Sequence, residues 1–324
     1  MELTSCLFKV GRHDEAVKYN EEGIASLRQL VVADFLYNTA GVLWSSNRPE
    51  SAIPLLQESI GLYRTLLGTQ VNETIHGESN GTIPSPEKPG DAEHMLATSL
   101  QTLVGLLYDE GDQAAAVKMS EEGLSIFRGL VAGGDNTMES ELANALNENA
   151  WFTAYYAESS EEAKKGAIGI AQESVGILRR LIVGSPDVVD DANLGLQRHL
   201  LNSLDTLMHC YNGCKLYDEA LYIATNDAIN MHHLLHAMHT KQGLDVHLQS
   251  VDHAGAAVFK QYAVALDAVG RTKEAVLFAK EAVEIGKRLV PADPVKNGKQ
   301  LEKTIALLDR LTGTSGTNTV IGPT

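Results

Sequence analysis

Residues 34–67, DFLYNTAGVLWSSNRPESAIPLLQESIGLYRTLL, read as two short antiparallel helices, and the rest of the chain reads as distorted copies of them. In the first half Leu36, Ala40, Leu43 and Trp44 recur at steps of three and four. In the second half Ile53, Leu56, Ile60, Tyr63 and Leu67 do the same. Residues 46–49 form the turn: Asn47 can cap the second helix, and Pro49 falls in its first turn, where a missing N–H costs least. Neither helix is long enough to bury its apolar stripe alone, so the unit needs neighbours.

The copies are found by using Ala52 as an anchor. Equivalent alanines stand at Ala16, Ala116, Ala167, Ala220 and Ala275, each followed by an aliphatic residue. Six positions beyond the anchors stand Glu22, Glu58, Glu122, Glu173, Asn226 and Glu281. Twelve beyond stand Arg28, Arg64, Arg128, Arg179, His232 and Lys287, and fourteen beyond stand Leu30, Leu66, Leu130, Leu181, Leu234 and Leu289. A turn residue lies five before most anchors, at Gly11, Asn47, Gly111 and Gly270. So many coincident positions predict a helical repeat array.

The segments GRHDEAVKYNEEGIASLRQLV, GDQAAAVKMSEEGLSIFRGLV and GRTKEAVLFAKEAVEIGKRLV resemble tetratricopeptide repeats. Their longer helices and Leu-Arg-x-Leu endings are similar to the roughly 42-residue variant of kinesin light chains rather than to the ~34-residue unit. The phrases VVADFLYNTAGVL and RLVPADP also resemble repeat arrays of fungal multidomain proteins. The resemblance covers about residues 2–290. It implies an all-α, right-handed superhelical solenoid of antiparallel helix pairs, with first helices lining a concave groove that binds a protein or peptide.

The expected organisation is about six repeats over residues 1–290, a capping helix over 291–311 and a disordered tail over 312–324. The first repeat begins inside its own opening helix, which suggests either a short, frayed first helix or, the favoured reading, the C-terminal piece of a longer protein. Pro54 predicts a late helix start near Ser51 or a kink. Residues 69–93, rich in Gly, Pro, Ser and Glu, predict a long flexible loop beginning at 69 and reaching 92 or 93. In repeat four, Lys164, Lys165, Gly166 and Ala167 are four extra residues, about one helical turn, so the faces stay aligned. Repeats five and six span roughly 191–235 and 246–290. Pro291 and Pro294 end the array.

A net charge of −16 over 324 residues argues against a nucleic-acid or anionic-membrane surface. Cys6, Cys210 and Cys214 offer no disulfide framework and suggest a reducing compartment. With no signal segment and no long apolar run, the cytoplasm, or the nucleus, is the expected location. No phosphate loop, nucleophile elbow or dinucleotide fingerprint is present, so neither enzyme activity nor a cofactor is expected.

Fourteen residues before the anchors (counting Asn149 from Ala163) stand Asn38, Thr102, Asn149, Thr206 and Gln261, all polar within apolar helices. The kinesin-light-chain resemblance implies that this row contacts an extended peptide backbone; a solvated concave face would also account for it. Trp151, Phe152, Tyr155 and Tyr156 form an aromatic cluster, and Trp151, Tyr155 and Tyr156 are candidate hot-spot residues; inter-helix packing is the competing reading. The recurrent basic residues complement helix dipoles. His232, His236 and His239 share one helical face and are candidate zinc ligands, without the glutamate of a metalloprotease motif. A binding scaffold is therefore expected. The alternatives are an architectural or sensor part of a larger NTPase-containing protein, and a histidine-rich metal-binding protein.

Overall fold

The computed structural model describes residues 12–46, 48–76, 89–156, 160–183, 191–242 and 245–313. Among these residues the secondary structure is entirely helical. The chain divides into two compact units, Met1–Ala145 and Leu146–Thr324. In the first unit α1 (His13–Ser45) packs on α2 (Pro49–His76), α2 on α3 (Pro89–Asp109), and α3 on α4 (Gln113–Ala132). A short 3₁₀ turn, Asn136–Met138, leads into α5 (Glu139–Tyr155), within which the unit boundary falls.

The second unit continues with α6 (Glu161–Val183), α7 (Asp191–Gly213) and α8 (Tyr217–Ile223). A π-helical turn, Ala224–Ala228, joins α8 to α9 (Ile229–Gln242) without a break. Then come α10 (Asp245–Ala268), α11 (Thr272–Leu289) and α12 (Pro294–Thr312). Here α6 packs on α7, α7 on α8 and α10, α10 on α9 and α11, and α11 on α12. The chain is thus an all-α array of antiparallel helix pairs, tetratricopeptide-like in pairing and register.

The predicted register carries the packing. Ala52, Ala116, Ala167, Ala220 and Ala275 are all fully buried, because only a methyl group fits where the two helices of a pair approach. The turn before Ala52, Ala116, Ala220 and Ala275 carries the same backbone bond. Amide-to-carbonyl bonds run from Arg48 to Leu43, Asp112 to Leu107, Leu216 to Tyr211 and Arg271 to Leu266, at 2.8–3.0 Å. Gly111 and Gly270 supply the positive φ this turn needs, at 90° and 81°. In repeat five the position falls to Lys215, which adopts φ 60° without glycine's freedom.

Three elements differ from the sequence reading. Helix α1 is continuous through residues 24–36, since nothing there breaks a helix, so the second unit of the repeat opens inside it. Helix α2 starts at Pro49, carries Pro54 inside it, and continues to His76, so residues 69–76 are helical rather than loop. They contain neither Gly nor Pro, and the next helix already begins at Pro89. Residues 77–88, the Gly11 turn, the Asn47 cap, the opening segment with Cys6, and residues 314–324 lie outside the described residues.

The third difference is the π-turn, which adds one residue to the second helix of repeat five. Leu235, fifteen residues past Ala220, is fully buried, whereas Leu234 at the expected fourteen is 53% exposed. The shift also moves His232 from the exposed basic row to the inward position held by Tyr63, Phe127 and Leu178 elsewhere. It restores the acid that Asn226 lacks: Asp227 takes that place and pairs with Arg179 at 2.9 Å. Arg64 and Glu122 make the same pair at 2.7 Å, so the basic row of one second helix meets the acidic row of the next.

Helix α12 packs against α11. Asp293 caps α12 by accepting from the Lys296 amide at 2.9 Å, with Pro294 in the first turn. The Asn297 amide donates to the Leu289 carbonyl at 2.7 Å, satisfying the end of α11, and Leu301 packs over Gly286.

Candidate functional site

The five polar ladder residues reach different environments. Asn38 on α1 is exposed, and Thr102 on α3 is half-buried and donates its hydroxyl to the Thr98 carbonyl at 3.0 Å within its own helix. Asn149, Thr206 and Gln261 are buried, on α5, α7 and α10. Gln261 is engaged by neighbours: its oxygen accepts from the Asn212 amide at 3.1 Å, and its nitrogen lies 3.0 Å from His209 Nδ1. Of the five, Thr206 lines a cavity.

That cavity, about 220 Å³, lies between α5 and α7 and is lined by Asn147, Glu148, Trp151, Phe152, Asn202, Asp205 and Thr206. One edge continues into an aromatic strip. Trp151 stacks on Tyr155 with centroids 4.8 Å apart, and Tyr155 stacks on His209 at 4.9 Å. Phe152, edge-on to Trp151 at 5.0 Å, is buried, so it is packing, while Trp151, Tyr155 and Tyr156 remain partly exposed. Lys303 of α12 places its ammonium 6.0 Å from the Tyr155 ring centre.

The electrostatics of this face are unusual for a helical scaffold. Burial pushes the Glu148 carboxyl up to about 7. It does the same to Asp205, also about 7, against an opposing effect of the Lys260 charge. His209 moves the other way, down to about 4, through burial first and then Lys260. Four buried acceptor atoms on α5 and α7 have no hydrogen-bond partner among the described residues: Asn147 Oδ1, Gln197 Oε1, Asp205 Oδ1 and Asn212 Oδ1. Such atoms are rare in folded chains and each one needs an explanation. Glu148, Asn147, Asn202 and Asp205 were not singled out in the sequence; the signal for them is a run of polar residues, one turn apart, on helices that carry the repeat's apolar stripe elsewhere.

The histidines form a different place. A cleft of about 770 Å³ between α9, α10 and α11 is lined in part by His232, His233, His236, Asp252 and Arg288. Asp252 Oδ1 lies 3.8 Å from His232 Nε2 and 3.6 Å from His236 Nε2, and the same carboxylate accepts three guanidinium hydrogen bonds from Arg288 at 3.1, 3.2 and 3.3 Å. Burial works to raise the Asp252 carboxyl, and His232, Arg288 and His236 together hold it below its ordinary value. His232 is 4% exposed and stands edge-on to Phe259 at 5.3 Å, with its ring against Gly255. It fills the core position that the π-turn assigned to it. His239, buried on the same face, does not line the cleft. Among the described residues no group of three or more His, Cys, Asp or Glu is placed to hold a metal ion. Cys210 and Cys214 are free thiols.

No protein-family model matches the sequence, and no curated protein matches it. Solved structures similar to the chain include helical repeat proteins. The S. pombe nuclear import adaptor Nro1 is 12% identical, with 91% of this chain and 97% of that one covered and a TM-score of 0.47. A Podosopora anserina putative kinesin light chain with nearly identical TPR-like repeats is 16% identical, covering 79% of this chain and 95% of that one, with a TM-score of 0.37. A de novo designed helical repeat protein is 13% identical over 91% of this chain and 98% of its own, at 0.21. No helix among the described residues is long and apolar enough to cross a membrane.

Proposed function

We propose that the chain is a protein-interaction scaffold that holds an extended segment of a protein partner on the first-helix face of its second unit, along α5, α7 and α10. The observation that carries this reading is the row of unspent acceptors on α5 and α7, beside a partly exposed aromatic strip. An extended peptide presents backbone N–H groups that suit such acceptors, and aromatic side chains dominate the energetics of protein contacts. Asn149, Thr206 and Gln261 lie on the same three helices, and the first two belong to the contact row only if the partner reaches deep between them. The reading includes no catalytic step and no cofactor.

The test is site-specific photo-crosslinking of the full chain in lysate of its own source cells. A photoreactive residue replaces Asn202 on α7 or, as a control, Tyr222, which is exposed on α8. The proposal predicts a discrete adduct from position 202 that Trp151→Ala removes, and none from position 222. Adducts from 222 alone would place the working surface on the second helices instead.

A further inference from the structure

We infer that the cavity between α5 and α7 is a socket for an arginine side chain, so that the partner segment is basic. This rests on the groove reading above and names the chemistry of its occupant. Size comes first. Pockets for drug-sized ligands run to roughly 300–1,000 Å³, and at about 220 Å³ this one is scaled to a single side chain.

Charge and valence then narrow the choice. Glu148 and Asp205 are the charged residues in the lining, and its unpartnered atoms, Asn147 Oδ1 and Asp205 Oδ1, are both acceptors. A complementary group must bring donors and positive charge, and a guanidinium has five N–H donors and no acceptor. The indole of Trp151 forms a wall, against which a planar guanidinium stacks better than an ammonium does. The strip already receives one cation of the chain itself, since Lys303 stands over Tyr155.

Among the described residues no Lys or Arg lines the cavity. Lys260 acts on Asp205, but burial outweighs it and both carboxyls stay near 7. Two carboxyls that burial keeps partly protonated are what an incoming guanidinium would ionise, gaining charge-assisted bonds as it does so. The net charge of −16 favours the approach of a basic segment but does not choose where it docks.

A randomised peptide library panned against the full chain tests the socket. The peptide selected with highest affinity is then measured by fluorescence anisotropy against the wild type and variants. We expect selected peptides to share an arginine. Replacing it by citrulline, or making Glu148→Gln/Asp205→Asn, should weaken binding roughly tenfold to a hundredfold, with little further loss when both are combined. The exposed first-unit pair Glu21→Gln/Glu121→Gln should leave Kd unchanged. Equal loss in that control pair would mean bulk charge attraction and would overturn the socket. Peptides with no basic residue in common that still lose affinity with Trp151→Ala would overturn it too, while sparing the groove. Binding indifferent to both Trp151→Ala and Asn202→Ala would overturn the groove and the socket together.

Discussion

Lys215 shows what a single residue owes to its place in the array. The turns before Ala116, Ala220 and Ala275 hold a left-handed residue, and Gly111 and Gly270 take that conformation without strain. An L-residue in that region costs roughly 1–2 kcal/mol, so Lys215→Gly should stabilise the protein by about 1 kcal/mol, read as a higher urea midpoint at unchanged slope. The reverse change, Gly270→Lys, should cost about as much. Glu148 and Asp205 act at the same scale but through pH. Their folded-state pKa values near 7 lie above the unfolded carboxyl values near 4, so the folded chain keeps protons that the unfolded chain loses. Their contribution to stability is full below about pH 4 and is lost as pH rises to about 7. His209 opposes them: lowered to about 4, it loses stability as pH falls from about 6.5. Glu148→Gln/Asp205→Asn should therefore raise the denaturation midpoint at pH 8 and change it little at pH 4. A midpoint at pH 8 that fell would contradict the assignment.

At the scale of elements, the π-turn is the feature with the widest consequences. It shifts Leu235 into the core, Asp227 onto Arg179, and His232 against Gly255. Deleting Asn226 should convert α8 and α9 into one regular helix and keep every one of those faces, leaving a cooperative thermal transition. Deleting one residue from the middle of α11, which has no such turn, should abolish it. Gly255 offers a second check. Alanine normally favours a helix interior by about 1 kcal/mol over glycine, yet a Cβ at Gly255 would stand 2.2 Å from His232 Nε2. Gly255→Ala should thus destabilise by about 1–3 kcal/mol, and the smaller side chain of His232→Ala should relieve most of that clash in the double variant. The sequence could show the anchors and the turn glycines because each is a local constraint repeated in the chain. It could not show the π-turn, whose one-residue insertion leaves a continuous apolar pattern and made His232 look like a member of the basic row. Helix α2's extension to His76 was hidden for a related reason, since its polar sequence over residues 69–76 lacks the apolar period that marks a helix.

For the molecule as a whole, the same register that stacks the pairs leaves one face of the second unit unsatisfied. Second helices join through exposed ion pairs such as Arg64–Glu122 and Arg179–Asp227, each worth at most about 1 kcal/mol, so the stacking itself rests on buried apolar side chains. First helices α5 and α7 instead carry buried acceptors, perturbed carboxyls and stacked rings. Only part of this was legible beforehand. The aromatic cluster and Thr206 stood out in the sequence, but Glu148 became a neighbour of Asn202 and Asp205, more than fifty positions further along, only when α5 and α7 packed together. The central claim is that this face is where a partner lies. Amide hydrogen exchange of the full chain, alone and with the highest-affinity peptide from the panned library, tests it most directly. The account predicts slowed exchange in α5, α7 and α10, with α6, α9 and α11 unchanged. Protection confined to the second helices would contradict it.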